Sequence, residues 1–355
     1  MKAETKSPWV DFKRTASYNA LFNFLYGSRG VGKTYGALEW QITHHLTAIR
    51  NGADPWEFVY LRRLKTELKK LTSQQNGRLF DAIQKQFPDH KLKAEGDVLT
   101  CDNRLLGYGI ALSTASTLKS DNFVNVKEII FDEFIIDNTR IYHYLPDEVT
   151  KFLDAYETIA RPMKNSPRKP VRVWFLANAV TINNPYFTEW NLYPPQNGDI
   201  QRFGKTKDML VQNCKNELHS ELKKSSRFGQ MIAGTHYADY AYDNEWLLDD
   251  TSFVESKPQS SLYYMSLRYK SNWLGIWFDP LQMVYYVSKD YDKQYPIKYS
   301  ATTNDHRPNT LLFSRGKSQP YIKTIITAYE RGAMRYESVK LKAWFRDIIR
   351  MSWGA

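Results

Sequence analysis

The chain has 355 residues, 42% hydrophobic and 15% aromatic, enough to bury a sizeable core and to form two or three domains. Lys and Arg outnumber Asp and Glu by 49 to 38, and the net charge of +11 points to an acidic partner, most simply nucleic acid. Two cysteines, Cys101 and Cys214, exclude a disulfide framework and a cysteine-built metal cluster. No apolar run is long enough for a signal or a membrane span, so a reducing compartment and no membrane partner are expected.

In chain order, LFNFLY (21–26) reads as a buried strand, and the segment from residue 34 reads as a helix with Ala37, Leu38, Ile42, Leu46 and Ile49 as its apolar stripe. Between them Gly27, Gly30, Gly32, Lys33 and Thr34 fit G-x-x-x-x-G-K-[ST], in the strand–loop–helix setting which that motif requires. The backbone of Gly27, Ser28, Arg29, Gly30, Val31 and Gly32 is expected to wrap the phosphates of ATP. Lys33 should reach the β and γ phosphates and Thr34 should hold Mg²⁺. WEFVYLRRL supplies a strand over 56–61 that runs into Arg62 and Arg63, with Lys65 just beyond; nucleotide, DNA or a neighbouring subunit would each explain these cations. HKLKAEGDVLTCDNRLLGYGIAL (90–112) predicts a hairpin with turns at GD and DN, its LLGYGIAL end adding a further sheet strand.

VKEIIFDEFIID predicts a fully buried parallel strand over 126–131, with Asp132 and Glu133 emerging at its C-terminal end, where such sheets bind ligands. Asp132 is the candidate for the Mg²⁺ shell and Glu133 for orienting the attacking water. A helix from Pro146 carries Val149, Phe152, Leu153 and Tyr156 on its apolar face and must stop before Pro162, which leaves Arg161 at its end. There Arg161 is either an arginine finger for a neighbour or a helix-end charge. VRVWFLANA predicts a strand over 171–176 leading to Asn178, which either senses the γ-phosphate or caps the next turn. Residues 203–250 read as a polar, mostly helical connector with a small basic cluster at Lys223, Lys224 and Arg227.

From residue 251 the pattern changes. SFVESKP reads as a strand, a three-strand meander follows over 262–269, 273–278 and 283–288, and helices follow over about 319–331 and 337–350, giving an α+β domain. Its many aromatics read as core packing rather than base stacking. His44 and His45 share a helix, and no metal-ligand spacing occurs elsewhere.

LYGSRGVGKTYG, FVYLRRLKTEL, QKQFPDHKL, IIFDEF, the ETIAR helix end, FLANAVTINNPYF, RFGQMIAGTHYAD and LGIWFDPLQMVYY occur in an order that resembles the DNA-packaging motor ATPases of small protein-primed podoviruses, the phi29-like group. The resemblance covers nearly the whole chain. It implies an α/β fold with a P-loop additional-strand ATPase domain (1–202), a small helical linker (203–250) and a C-terminal α+β domain resembling an RNase H-like nuclease (251–355). It further implies a pentameric ring on the capsid portal that pumps double-stranded DNA, with a packaging RNA bridging ring and portal. The setting it implies is the host cytoplasm, transiently at the procapsid portal vertex. Carried onto these residues, Lys33 and Thr34 are the phosphate and Mg²⁺ residues, Asp132 and Glu133 the acidic pair, and Arg161 the arginine donated in trans. Arg62, Arg63, Lys65, Lys119 and Lys127 are the DNA-contact candidates. A two-metal nuclease needs converging carboxylates. Asp279, Asp290 and Asp292 are scattered, so the nuclease reads as lost. A ring helicase and a non-hydrolysing portal adaptor are the alternative readings.

Overall fold

Six parallel strands form the middle of the larger sheet, and the apolar side chains on both of their faces explain the layers on either side. The coordinates are a computed structural model, which describes residues 10–73, 77–120, 122–136, 143–161, 170–195, 197–215, 217–235, 252–316 and 318–353. The chain divides into two compact units, Met1–Leu248 and Asp249–Ala355. No helix among the described residues is long and apolar enough to cross a membrane.

The first unit contains α1 (Phe12–Ser17), β1 (Phe22–Gly27), α2 (Lys33–Arg50), β2 (Glu57–Arg62), α3 (Lys65–Thr72), β3 (Leu92–Glu95), β4 (Val98–Cys101), β5 (Arg104–Ala111) and β6 (Val126–Asp132). It continues with α4 (Glu148–Ile159), β7 (Arg172–Asn178), α5 (Pro185–Glu189), β8 (Ile200–Phe203), β9 (Met209–Cys214), α6 (Glu217–Ser225) and α7 (Arg227–Met231). Its nine strands lie in the order β3-β4-β5-β2-β6-β7-β1-β9-β8. The run from β5 to β9 is parallel, and the pairs β3–β4, β4–β5 and β8–β9 are antiparallel. Strand β7 therefore stands between β1 and β6.

Successive residues of each central strand face opposite sides. Phe24, Phe131 and Phe175 pack with Val149, Phe152 and Ile159 of α4 and Tyr186 and Phe187 of α5. Leu25, Ile130 and Trp174 pack with Phe12, Ala37, Leu38, Ile42 and Leu68. Both faces are covered, so the strands are apolar throughout, as parallel sheets require. Helix α2 is also pinned by a buried polar cluster. Glu128 on β6 accepts hydrogen bonds from Gln41 Nε2 at 2.7 Å and from the indole N–H groups of Trp40 and Trp174 at 3.1 and 2.5 Å.

The strands expected over 21–26, 56–61, 126–131 and 171–176 appear as β1, β2, β6 and β7. The GD and DN turns join β3, β4 and β5. The connector reading needs correction over its first residues, which close strand β8 at Phe203 and form strand β9. Met209–Cys214 looked polar because it carries Gln212 and Asn213, yet it lies beside β1, and Gln212 is buried as an acceptor for the Thr15 hydroxyl at 2.6 Å. Helices α6 and α7 keep the remainder helical as far as it is described.

The second unit holds β10 (Leu262–Tyr269), β11 (Asn272–Asp279), β12 (Val284–Ser288), β13 (Lys298–Ser300), β14 (Leu311–Leu312), α8 (Pro320–Glu330), β15 (Met334–Tyr336) and α9 (Val339–Trp353). Its sheet runs β14-β13-β10-β11-β12-β15. The meander and both helices match the sequence pattern. SFVESKP does not form a strand, contributing one isolated bridge between Val254 and Tyr336. The short β13, β14 and β15, of two or three residues each, leave too little periodicity to read. Most of the aromatics here pack ring against ring, Tyr263 on Trp277 at 4.8 Å and Tyr269 on Trp344 at 5.9 Å among them.

Candidate active site

The first unit gathers its polar strand ends around one cavity of about 550 Å³. Strand β1 enters it at Gly27, where any Cβ would lie 2.7 Å from the carbonyl oxygen of Cys214 on β9. The turn ends at Gly32, whose φ of 84° is the left-handed conformation that favours glycine, and α2 begins at the next residue. The α2 N-terminus thus opens on the cavity with its unpaired N–H groups, an anion-binding arrangement reinforced by the dipole of an 18-residue helix.

Lys33 is the first residue of that helix and is only 7% exposed. Its Nζ donates to the carbonyl oxygens of Gly27 and Ser28 at 3.1 and 2.8 Å, and to Asn178 Oδ1 at 3.4 Å. Burial draws its pKa down to about 8, against the opposing pull of the Cys214 thiol and of Asp132. Asn178, at the end of β7, is thereby brought to the lysine.

Strand β6 delivers the acidic pair from the other side of β7. Thr34 Oγ1 donates to Asp132 Oδ1 at 3.2 Å, and the Tyr60 hydroxyl donates to Oδ2 at 2.6 Å. Burial, and then Asp132, push the Tyr60 phenol well above its ordinary pKa, so it remains a neutral donor. Glu133 has a φ of 58°, uncommon for a residue with a side chain. Its half-exposed carboxylate accepts from Arg62 Nη2 at 2.6 Å, and Arg62 Nη1 reaches Asp132 at 3.4 Å. Strain of this kind concentrates at functional sites.

Lys33, Thr34, Asp132, Glu133 and Asn178 all line the cavity, with Arg29, Gly30 and Gly32 from the loop. Ser28 and Val31 are buried and do not line it, and the Val31 carbonyl accepts from the Val10 N–H at 3.3 Å. Arg161 is exposed, two residues past the end of α4, and is not among the lining residues. Lys65 is exposed at the start of α3. Lys127 is the second residue of β6, at the opposite end of that strand from Asp132. The backbone of Lys119 lies in a short 3-10 segment, and its side chain is outside the described residues.

The tandem arginines depart from the DNA-contact reading. Arg62 is 8% exposed and is engaged by Asp132 and Glu133. Arg63 is wholly buried and paired with Glu148 at 2.8 Å, so no DNA phosphate reaches it. A strand end buried on both faces admits a guanidinium only where carboxylates and carbonyls meet it. The sequence reading missed Tyr60, whose position inside an unbroken apolar strand carries no polar signal.

Two other groupings bear on the expectations. Among the described residues, His90, Cys101 and Asp102 bring metal-ligating atoms within 4.8 Å of one another, a proximity the sequence spacing did not suggest. His90 Nδ1 lies 2.7 Å from one Asp102 oxygen, while the other accepts the Lys91 N–H at 2.7 Å, so the carboxylate is spent on its own hairpin. In the second unit Asp279 ends β11 and accepts the Leu281 N–H at 2.9 Å.

Similarity to known proteins identifies the family. The family model of the podovirus DNA encapsidation protein, Gp16, matches residues 5–352. The DNA packaging protein of Bacillus phage B103 is 33% identical over 322 residues, covering 91% of this chain and 94% of that protein. Its counterpart in Bacillus phage phi29 is 32% identical over 345 residues, 97% and 98% of the two chains. Among solved structures, a chain of the bacteriophage Phi-29 viral genome packaging motor assembly matches with a TM-score of 0.76 and 28% identity, covering 98% of this chain and all of that one. With its family model matched nearly end to end, the chain belongs to the podovirus DNA encapsidation proteins and is an ATP-driven DNA-packaging motor protein.

Proposed function

We propose that the cavity at the α2 N-terminus is the hydrolytic site for Mg-ATP and that a ring of these chains couples it to the movement of double-stranded DNA. The carrying observation is that Lys33 and Thr34 at the start of α2 and Asp132 and Glu133 at the end of β6 line one cavity, although β7 stands between β1 and β6. Lys33 exchanges its loop carbonyls for the β and γ phosphates. Thr34 and Asp132 offer two hard oxygens in contact, which suits Mg²⁺. That ion, when bound, neutralises charge on the phosphates. Glu133 leaves Arg62 and orients the attacking water, while Asn178 contacts the γ-phosphate end. Having β7 between β1 and β6 supports an additional-strand ATPase.

Arg161 from a neighbouring subunit completes the site, which is why the ring, pentameric by resemblance, is needed. DNA is gripped through phosphates rather than base edges, since a motor must ignore sequence. Exposed Lys65 is the leading contact, with Lys119 and Lys127 as further candidates. The ATPase module runs through β9, a connector that begins with α6 and α7 follows it, and the C-terminal unit is RNase H-like. The antiparallel meander β10–β11–β12, extended by parallel strands beyond β10, supports that reading. Nuclease activity is lost there, and the unit faces the packaging RNA. The ring works in the host cytoplasm, seated transiently on the portal vertex of the procapsid.

The test is packaging into matching empty proheads, with nucleotide binding measured alongside. Lys33→Ala should lose ATP binding, hydrolysis and packaging together. Glu133→Gln should bind Mg-ATP but hydrolyse it about 10²- to 10⁴-fold more slowly, the usual worth of a positioned base. Near-normal turnover in Glu133→Gln would remove Glu133 from its role.

A further inference from the structure

Arg63 does not line the cavity but touches the backbone of Glu133, which does. Its Nε and Nη2 donate to the two oxygens of Glu148 at 2.8 and 2.9 Å, a bidentate pair with both side chains fully buried. Nη2 also donates to the Phe134 carbonyl oxygen at 2.9 Å, and Nη1 to that of Glu133 at 3.1 Å. The rings of Phe131 and Tyr144 flank the guanidinium at 5.9 and 4.9 Å. Glu148 in turn accepts the Leu145 N–H at 2.8 Å and the Tyr186 hydroxyl at 2.9 Å.

Two features separate this network from ordinary core packing. The first carbonyl held by Arg63 belongs to Glu133, the one residue of the acidic pair in the left-handed conformation. Such a backbone persists only where its surroundings over-determine it. The carboxylate held by Arg63 belongs to the first residue of α4, the helix whose far end leads to Arg161. A buried ion pair is also a poor device for stability alone, because desolvation offsets its attraction.

We propose that Arg63 is a positioning residue for hydrolysis. It fixes the strained turn at Glu133, so that the carboxylate is presented to the cavity, and ties that turn to the first turn of α4. Only a planar fork of donors can hold two backbone carbonyls and both oxygens of a carboxylate at once; lysine cannot. The proposal rests on the reading of Glu133 as the water-orienting acid.

The experiment uses the full-length chain and compares Arg63→Lys, the double variant Arg63→Met/Glu148→Gln, and Glu133→Gln. Turnover is expressed per nucleotide-binding site, counted by titration with a fluorescent ATP analogue, and thermal melting is recorded beside it. Arg63→Lys should lose about 10- to 100-fold in kcat, the usual cost of removing a group that orients a reacting residue, with ATP affinity unchanged. The double variant removes both buried charges together, so it should melt close to the parent, yet its kcat should stay low. Three results would overturn the proposal: normal kcat per site in Arg63→Lys, recovery of kcat with stability in the double variant, or ATP affinity falling in step with kcat. Normal turnover in Glu133→Gln would defeat the underlying reading of Glu133 instead. An inactive Glu133→Gln beside a fully active Arg63→Lys would defeat Arg63 alone.

Discussion

Asp132 and Asp279 each close a buried strand, one in each unit, and their surroundings differ because their sheets run differently. On either side of Asp132 the strands are parallel, so β1, β2 and β7 end at the same edge and bring Gly27, Arg62 and Asn178 to it from positions far apart in the chain. Asp279 sits on β11 between two antiparallel neighbours, pairs with Val284 across a tight turn, and spends its carboxylate on the Leu281 N–H. Asp290 is paired with Lys257 at 3.2 Å, and Asp292 accepts the Gln294 N–H at 2.8 Å. A strand-end acid gains a catalytic setting when parallel neighbours deliver other groups beside it, as open α/β sheets do at their carboxyl edge. In an antiparallel meander the same residue type serves its own turn.

The strongest way to break this comparison is through Arg161. If the carboxyl edge of the first unit were a complete site, exposed Arg161 would be dispensable. We expect instead that Arg161→Ala and Arg161→Lys bind ATP and lose about 10³- to 10⁵-fold in turnover, the loss that removal of an arginine finger causes. The defect should be complementable. Mixing Arg161→Ala with Lys33→Ala, each inactive alone, should restore some phosphate release once particle mass confirms mixed rings. Recovery places the finger on the neighbour. Mixed rings without recovery would make it an intramolecular group, and near-normal turnover in Arg161→Lys would reduce it to a helix-end charge.

A smaller effect sharpens the electrostatics of the first site. Burial, above all, sets the free Lys33 pKa to about 8, and bound phosphates raise it by favouring the charged ammonium. The free value lies below the bound one, so affinity is greatest below about pH 8, where Lys33 is protonated in both states. As pH rises through the free value, binding must first protonate the lysine, and affinity should fall toward tenfold per pH unit. Titration with an ATP analogue from about pH 7 to about pH 10 checks this. A flat profile would show that Lys33 keeps its charge throughout that range and that its cradle is more polar than its burial implies.

Much of the first site could be read before any coordinates because its chemistry lies at the ends of long apolar runs. Asp132, Glu133 and Asn178 close or immediately follow such runs, Lys33 and Thr34 follow one across a glycine-rich loop with its own spacing, and parallel order brings them together. Arg62 and Arg63 were visible as residues in need of a reason, but their partners were not. Glu148 is 85 positions away from Arg63, on a different element, and only packing joins them. Tyr60 was hidden for the opposite reason: nothing in an apolar strand distinguishes a phenol that donates to Asp132 from one that merely packs. Strand β9 reads as a connector in sequence because it carries Gln212, which a buried strand tolerates when a neighbour, here the Thr15 hydroxyl, satisfies its amide oxygen.

The smallest expected effect belongs to Asp279, and its smallness is the point. The carboxylate is buried, and Oδ1 accepts a single backbone N–H in its turn. An asparagine Oδ1 accepts the same hydrogen bond, without the charge that strengthens it. Asp279→Asn should therefore cost the second unit about 1 kcal/mol or less, the difference between a charged and a neutral acceptor. ATP turnover should not change, since Asp279 lines no part of the cavity proposed to bind ATP. The parent chain, incubated with supercoiled DNA and Mn²⁺, should leave the DNA intact, because two-metal cutting needs carboxylates that converge and Asp279, Asp290 and Asp292 are each engaged locally. Reproducible nicking by the parent that disappears in Asp279→Asn would reverse the comparison. It would mean that the antiparallel unit gathers a metal site on binding DNA, and that the carboxylate now capping a turn is released to serve it.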